Sequence, residues 1–144
     1  MLSLSQQIKM KPIIFKASSN GNGIVTFNPG TIAPFDKLIF CYPNASAFNI
    51  TTYSYTVPKN GIYQFSYRLY CKTTPPTITK MAISKNNINI MVAGNVVANV
   101  EALSTLESCV IGDVINVRCV VGSSLTFWFH SIHCSFSGML VYEI

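Results

Sequence analysis

Residues 55–67, Tyr-Thr-Val-Pro-Lys-Asn-Gly-Ile-Tyr-Gln-Phe-Ser-Tyr, constrain the fold more than any other segment of the chain. Pro58 and Gly61 punctuate a turn. Beyond it Tyr63, Phe65, Tyr67 and Leu69 fall on one side, and Gln64, Ser66 and Arg68 on the other. A side-chain period of two with an aromatic inner face is the signature of a half-buried antiparallel strand.

Strand signals separated by short turns continue along the chain, the pattern of an all-β sandwich. Residues 18–23 read as a loop, 28–30 as a turn, Lys37–Tyr42 as a strand and 43–46 as another turn. Residues 78–84 and Ile88–Val92 read as a hairpin around Lys85-Asn86-Asn87. Residues 108–111 and Val114–Val121 read as a second hairpin around Gly112-Asp113, and 122–124 turns into Leu125–His130. Residues 95–106 are ambiguous: the spacing of Val96, Val97, Val100 and Leu103 fits a helix, while β-branched content favours a strand. No repeat or linker divides the chain. Residues 11–144 are expected to form one domain, with residues 1–10 an arm or leader.

The opening segment resembles the central motif of C1q/TNF-like domains, in which an aromatic-Thr-X-Pro turn precedes Gly-X-Tyr-X-Phe. Here those positions are Tyr55, Pro58, Gly61, Tyr63 and Phe65. Further pieces resemble that family in its own order: Phe15 and Ala17 in the first strand, then Phe35-Asp36 after Ile32, then Lys85-Asn86 after Ile83. Gly112-Asp113 with Val117 follows, and Phe136, Gly138, Leu140 and Tyr142 resemble the closing Phe-X-Gly-X-Leu-X-Tyr strand. The resemblance implies a ten-stranded jelly-roll sandwich that forms homotrimers, binds other molecules and catalyses nothing. The chain departs from the family where Thr51, Thr52 and Tyr53 replace an expected glycine, and no collagen-like Gly-X-Y stalk precedes the domain. The carboxylate clusters that bind calcium in some relatives are also lacking, so no metal or other cofactor is expected.

In the last strand Phe136, Gly138, Leu140 and Tyr142 alternate with Ser137, Met139 and Val141. Both sets are apolar, unusual for a sheet with one side in water. If the first set faces the core, Met139 and Val141 need cover from a trimer axis or from a loop. Ile62 and Tyr70 would join that interface, with Gln64, Ser66 and Arg68 nearer its wet edge.

Composition points the same way. Apolar residues make up 49% of the chain and charged residues only 10%, far below the usual quarter or so. So few charges favour burial of surface against identical copies. No apolar run reaches the length of roughly 18 residues that a spanning helix needs, so no membrane insertion is expected. The net charge of +5 is dispersed along the chain, which argues against nucleic acid and leaves a mild preference for anionic partners such as sialylated or sulfated glycans. Residues 1–10 lack the features of a secretory signal, which suits a protein carried outside in a particle, or one whose signal was removed. Cys41, Cys71, Cys109, Cys119 and Cys134 are irregularly spaced. They read as buried free thiols, the alternative being a Cys109–Cys119 disulfide if a hairpin pairs their strands.

Chemistry-bearing residues are sparse. His130, His133 and Cys134 have neither metal-ligand spacing on one strand face nor a nucleophile signature, and no paired carboxylates or phosphate-cradling loop appear. No catalytic, cofactor-binding or metal residue is expected. Asn44 and Asn49 begin glycosylation sequons in a polar stretch, with ordinary loop asparagines as the alternative. Trp128 reads as core or seam. Exposed tips are expected at residues 20–23, 43–48 and 73–76. The expected function is a trimeric, non-enzymatic recognition or adhesion head on a virion surface, in a fibre, spike or capsid, binding a host receptor or anionic glycan. The alternatives are a secreted C1q-like or TNF-like ligand and a purely structural capsid or spore-coat component.

Overall fold

The structure is a computed structural model that describes Ser3 and residues 11–70, 80–93, 100–121, 125–130 and 134–144. Most of the expected N-terminal arm, Cys71, the tip at 73–76, the 122–124 turn and His133 lie outside the described residues.

The strands are β1 (Ile14–Ser18), β2 (Asn22–Phe27), β3 (Lys37–Tyr42), β4 (Phe48–Asn49), β5 (Ser54–Thr56) and β6 (Gly61–Tyr70). They continue as β7 (Lys80–Lys85), β8 (Ile88–Val92), β9 (Val100–Cys109), β10 (Val114–Val121), β11 (Leu125–His130) and β12 (Ser135–Glu143). Ten of them form two five-stranded sheets, β3-β1-β12-β6-β9 and β4-β5-β10-β7-β8, and β2 pairs with β11 in a two-stranded ribbon. Among the described residues every strand pairing is antiparallel, and the chain passes repeatedly between the sheets, which is jelly-roll architecture.

The aromatic alternation of β6 drives this packing. Tyr63, Phe65, Tyr67 and Leu69 are buried and meet Phe15, Phe35, Phe48, Tyr55 and Phe136 between the sheets. Phe15 stacks on Tyr55 at 4.1 Å between ring centroids and meets Phe136 edge-on at 5.0 Å, the offset and edge arrangements that aromatic quadrupoles favour. Gly138 lies in register with Phe15 on one side and Phe65 on the other. Its missing side chain leaves the space both rings occupy.

Several local expectations change in the folded chain. The ambiguous stretch is strand over Val100–Cys109; residues 94–99 lie outside the described residues. The expected 18–23 loop is shorter, because Asn22 and Gly23 pair with His130 and Phe129 in the ribbon. Residues 108–111 and Val114–Val121 do not form a hairpin: β9 pairs with β6 in one sheet and β10 with β5 and β7 in the other. The Gly112-Asp113 turn, with Gly112 at φ +94°, instead carries the chain across the sandwich. By contrast Lys85–Ile88 is a tight hairpin turn, with Asn86 and Asn87 at φ +52° and +65°.

Tyr142 also departs from simple alternation. The β12–β6 register slips between Leu140 and Tyr142, so Leu140 pairs with inward Tyr63 while Tyr142 pairs with outward Ile62. Val141 is the extra residue of this bulge. Tyr142 therefore leaves the core set and stands 69% exposed on the outer face.

Candidate self-association face and buried polar groups

Register across the first sheet arranges its outer face in rows. One row runs Tyr42, Ile14, Met139, Gln64, Leu106 from edge to edge. The row above it places Tyr142 beside Ile62, with exposed Val141 at the bulge. The row below runs Phe40, Lys16, Ser137, Ser66, Ser104. There Ser66 Oγ and Gln64 Nε2 donate to Ser104 Oγ at 3.0 and 3.3 Å. The face is thus an apolar band with a hydroxyl strip beside it, and a shallow groove of about 330 Å³ between Ile14, Phe40, Gln64 and Met139. Met139, Val141, Tyr42, Tyr142 and Leu106 all remain exposed, Leu106 at 62%.

Of the residues singled out from sequence, Ile62, Met139 and Val141 lie on or at the edge of this band, and Tyr55, Gly61, Tyr63, Phe65, Phe136 and Gly138 are buried beneath it. Leu140 is half-buried and packs on the core, while Pro58 is exposed at its turn. Sequence reasoning missed Tyr42, Ile14 and Leu106. For Ile14 and Tyr42 a signal existed: they alternate with Phe15 and Cys41, both buried.

Beneath the face, Glu101 is a buried carboxylate, 5% exposed, that joins the two sheets. Its Oε1 accepts from the Tyr67 hydroxyl at 2.7 Å and from Met81 N–H at 3.3 Å, whereas Oε2 has no hydrogen-bond partner among the described residues. Burial raises its pKa above the ordinary carboxyl value, against the lowering effect of those two donors. A raised folded-state pKa means the neutral form favours folding. Stability is full below the unfolded pKa of roughly 4.3 and is lost as pH rises through the folded value. We expect the stability difference between wild type and Glu101→Gln to change as pH falls from about 8 to the unfolded carboxyl value of roughly 4.3. Wild type gains on acidification, by about 1.4 kcal/mol for every tenfold by which burial weakens this acid. Parallel urea titrations of the two proteins over that range check it, and a constant difference contradicts it.

Cys41, Cys109 and Cys119 are free and buried, and Cys134 is buried as well. Burial pushes the Cys109 thiol up to about 11, away from nucleophilic thiolate character. With Cys109 and Cys119 on strands of opposite sheets, the hairpin that would have paired them does not exist. His130 ends β11, and among the described residues no three His, Cys, Asp or Glu side chains converge on a metal-sized site. Asn44 and Asn49 are exposed in side-chain turns. Asn44 Oδ1 accepts from Ser46 N–H at 3.0 Å, and Asn49 Oδ1 from Thr51 N–H at 2.8 Å.

No family model and no curated protein matches the chain by sequence. Solved structures match it by fold. An Eiger TNF from S. frugiperda superposes with a TM-score of 0.71 at 14% identity, over 94% of this chain and 96% of that one. Murine APRIL gives 0.69 at 10% identity over 92% and 100%, and the globular domain of zebrafish complement 1qA gives 0.65 at 13% over 92% and 99%. The class is an all-β jelly-roll domain. Within that class the chain has the C1q/TNF-like fold.

Proposed function

We propose that residues 11–144 form a homotrimeric, non-enzymatic recognition head that acts outside the cell as a receptor-binding ligand of the TNF or C1q kind, with residues 1–10 an arm. The observation that carries this reading is the apolar band on the outer face of the first sheet. Exposed Tyr42, Met139, Val141 and Tyr142, with Leu106 beyond Gln64, form a patch of the kind soluble chains cover with a partner. A second copy is the occupant that the composition favours, and the C1q/TNF-like resemblance supplies the stoichiometry of three. The matched structures are named as TNF-type and complement domains, which favours the ligand over the virion-surface expectation. Asn44, in the turn after β3, and Asn49, in β4, are both exposed and could carry glycans.

A trimeric head gains avidity. Labelled wild type is expected to bind receptor-bearing animal cells with half-saturation at least about a hundredfold lower than the monomeric Met139→Glu variant. Equal half-saturation by the two proteins contradicts the reading.

A further inference from the structure

The outer face of the second sheet carries a row of small polar side chains that crosses all five strands: Asn49, Ser54, Asn116, Ser84 and Asn89. Their neighbours in sequence, Tyr55, Ile115 and Ile83, point into the core, so alternation turns this row outward. Yet Ser84 is 0% exposed and Asn116 only 3%. Asn116 Nδ2 donates to Ser54 Oγ at 3.2 Å. Three side-chain atoms buried without a hydrogen-bond partner among the described residues lie together here: Ser84 Oγ, Asn116 Oδ1 and Arg118 Nε. Ser84 and Asn116 are directly opposed across β7 and β10, and Arg118 is the next residue of β10 on the same face.

Buried polar atoms without partners are rare because each forfeits its hydration. Three on adjoining positions of one face of β7 and β10 point to a place that takes a partner. Arg118 is partly exposed and its guanidinium donates to the Asn87 carbonyl at 3.1 Å. The arm thus runs from opposite Ala82 to the 86–87 turn, along the stretch of β7 that carries Ser84, and a ligand would enter the row by displacing it. Among the described residues no carboxylate pairs with it. Tyr53, next to Ser54, holds φ +57°, a conformation costly for a bulky residue and common beside binding sites.

We propose that this row is a binding site for an acidic, hydroxyl-bearing saccharide, its carboxylate on Arg118 and a ring hydroxyl between Asn116 and Ser84. A guanidinium without a carboxylate partner selects an anion. The amide carbonyl and serine hydroxyl beside it match a group that both donates and accepts, which a sugar hydroxyl is. The site lies within one subunit and does not require the trimer.

Amide chemical-shift mapping of the isotope-labelled protein tests it, with N-acetylneuraminic acid and glucuronic acid as probes and N-acetylglucosamine as the neutral control, each up to about 10 mM. The acids are expected to move the amides of Ser84, Asn116 and Arg118 in a saturable way, and the neutral sugar to leave them still. Arg118→Gln, at a partly exposed position, is expected to weaken the acids at least about tenfold. Amides that stay still with every sugar would mean ordered water alone fills the site and would overturn the proposal. Equal response to neutral and acidic sugars, or acid binding undiminished in Arg118→Gln, would do the same. The wild-type map stands even if the variant folds poorly, and none of these readouts depends on oligomer mass.

Discussion

Gly138→Ala is expected to destabilise the fold by about 3 kcal/mol, a large effect for a single methyl group. A Cβ built at Gly138 would lie 2.5 Å from Phe15 Cε1 and 2.6 Å from Phe65 Cδ1. Neither ring has room to retreat. Both are fully buried, Phe15 is stacked on Tyr55 and set against Phe136, and Phe65 lies parallel to Tyr63 with ring centroids 5.8 Å apart. Interiors packed to crystal density transmit such a clash instead of absorbing it. The substitution should lower the urea midpoint without changing the slope of the transition. A midpoint within error of wild type would mean that this glycine is not the gap on which the aromatic core closes.

The core was legible because its cause is local. Period-two alternation in β6 assigns Tyr63, Phe65 and Tyr67 inward, and all three are buried. What escaped the sequence depends on partners. The bulge at Val141 exists only in the register between β12 and β6, so alternation along β12 alone put Tyr142 on the wrong face. Turn chemistry at Gly112-Asp113 predicts a reversal but not the sheet that the next strand joins. The Asp113 carboxylate serves its own turn, accepting from Val110 N–H at 2.9 Å, and also takes Asn86 Nδ2 at 2.8 Å from the β7–β8 hairpin. That link to a turn distant in sequence leaves no local trace. The polar row of the second sheet was equally hidden. Asn49, Ser54, Ser84, Asn89 and Asn116 come from five strands scattered over much of the chain, and only pairing brings them into line.

The proposed self-association would turn on Met139, which sits in the middle of the apolar band between Ile14 and Gln64. Because Met139 is exposed in the single chain, Met139→Glu should fold normally. In an assembly that covers the band, each copy would desolvate an unpaired carboxylate, at a cost of several kcal/mol in an apolar contact. Lys16, on the neighbouring row, is too solvated to offset three such charges. Dissociation at micromolar concentration is the expected result, with the unfolding midpoint of the separated chain as evidence that the fold survives.

Sedimentation equilibrium of the purified wild-type chain at micromolar concentration, with Met139→Glu alongside, is the decisive test of whether copies cover the apolar band. Wild type is expected at a mass three times the 15.9 kDa of one chain, and the variant at the mass of one chain. Wild type sedimenting as a single well-behaved chain, or a variant that keeps the wild-type mass, would contradict a band buried between copies.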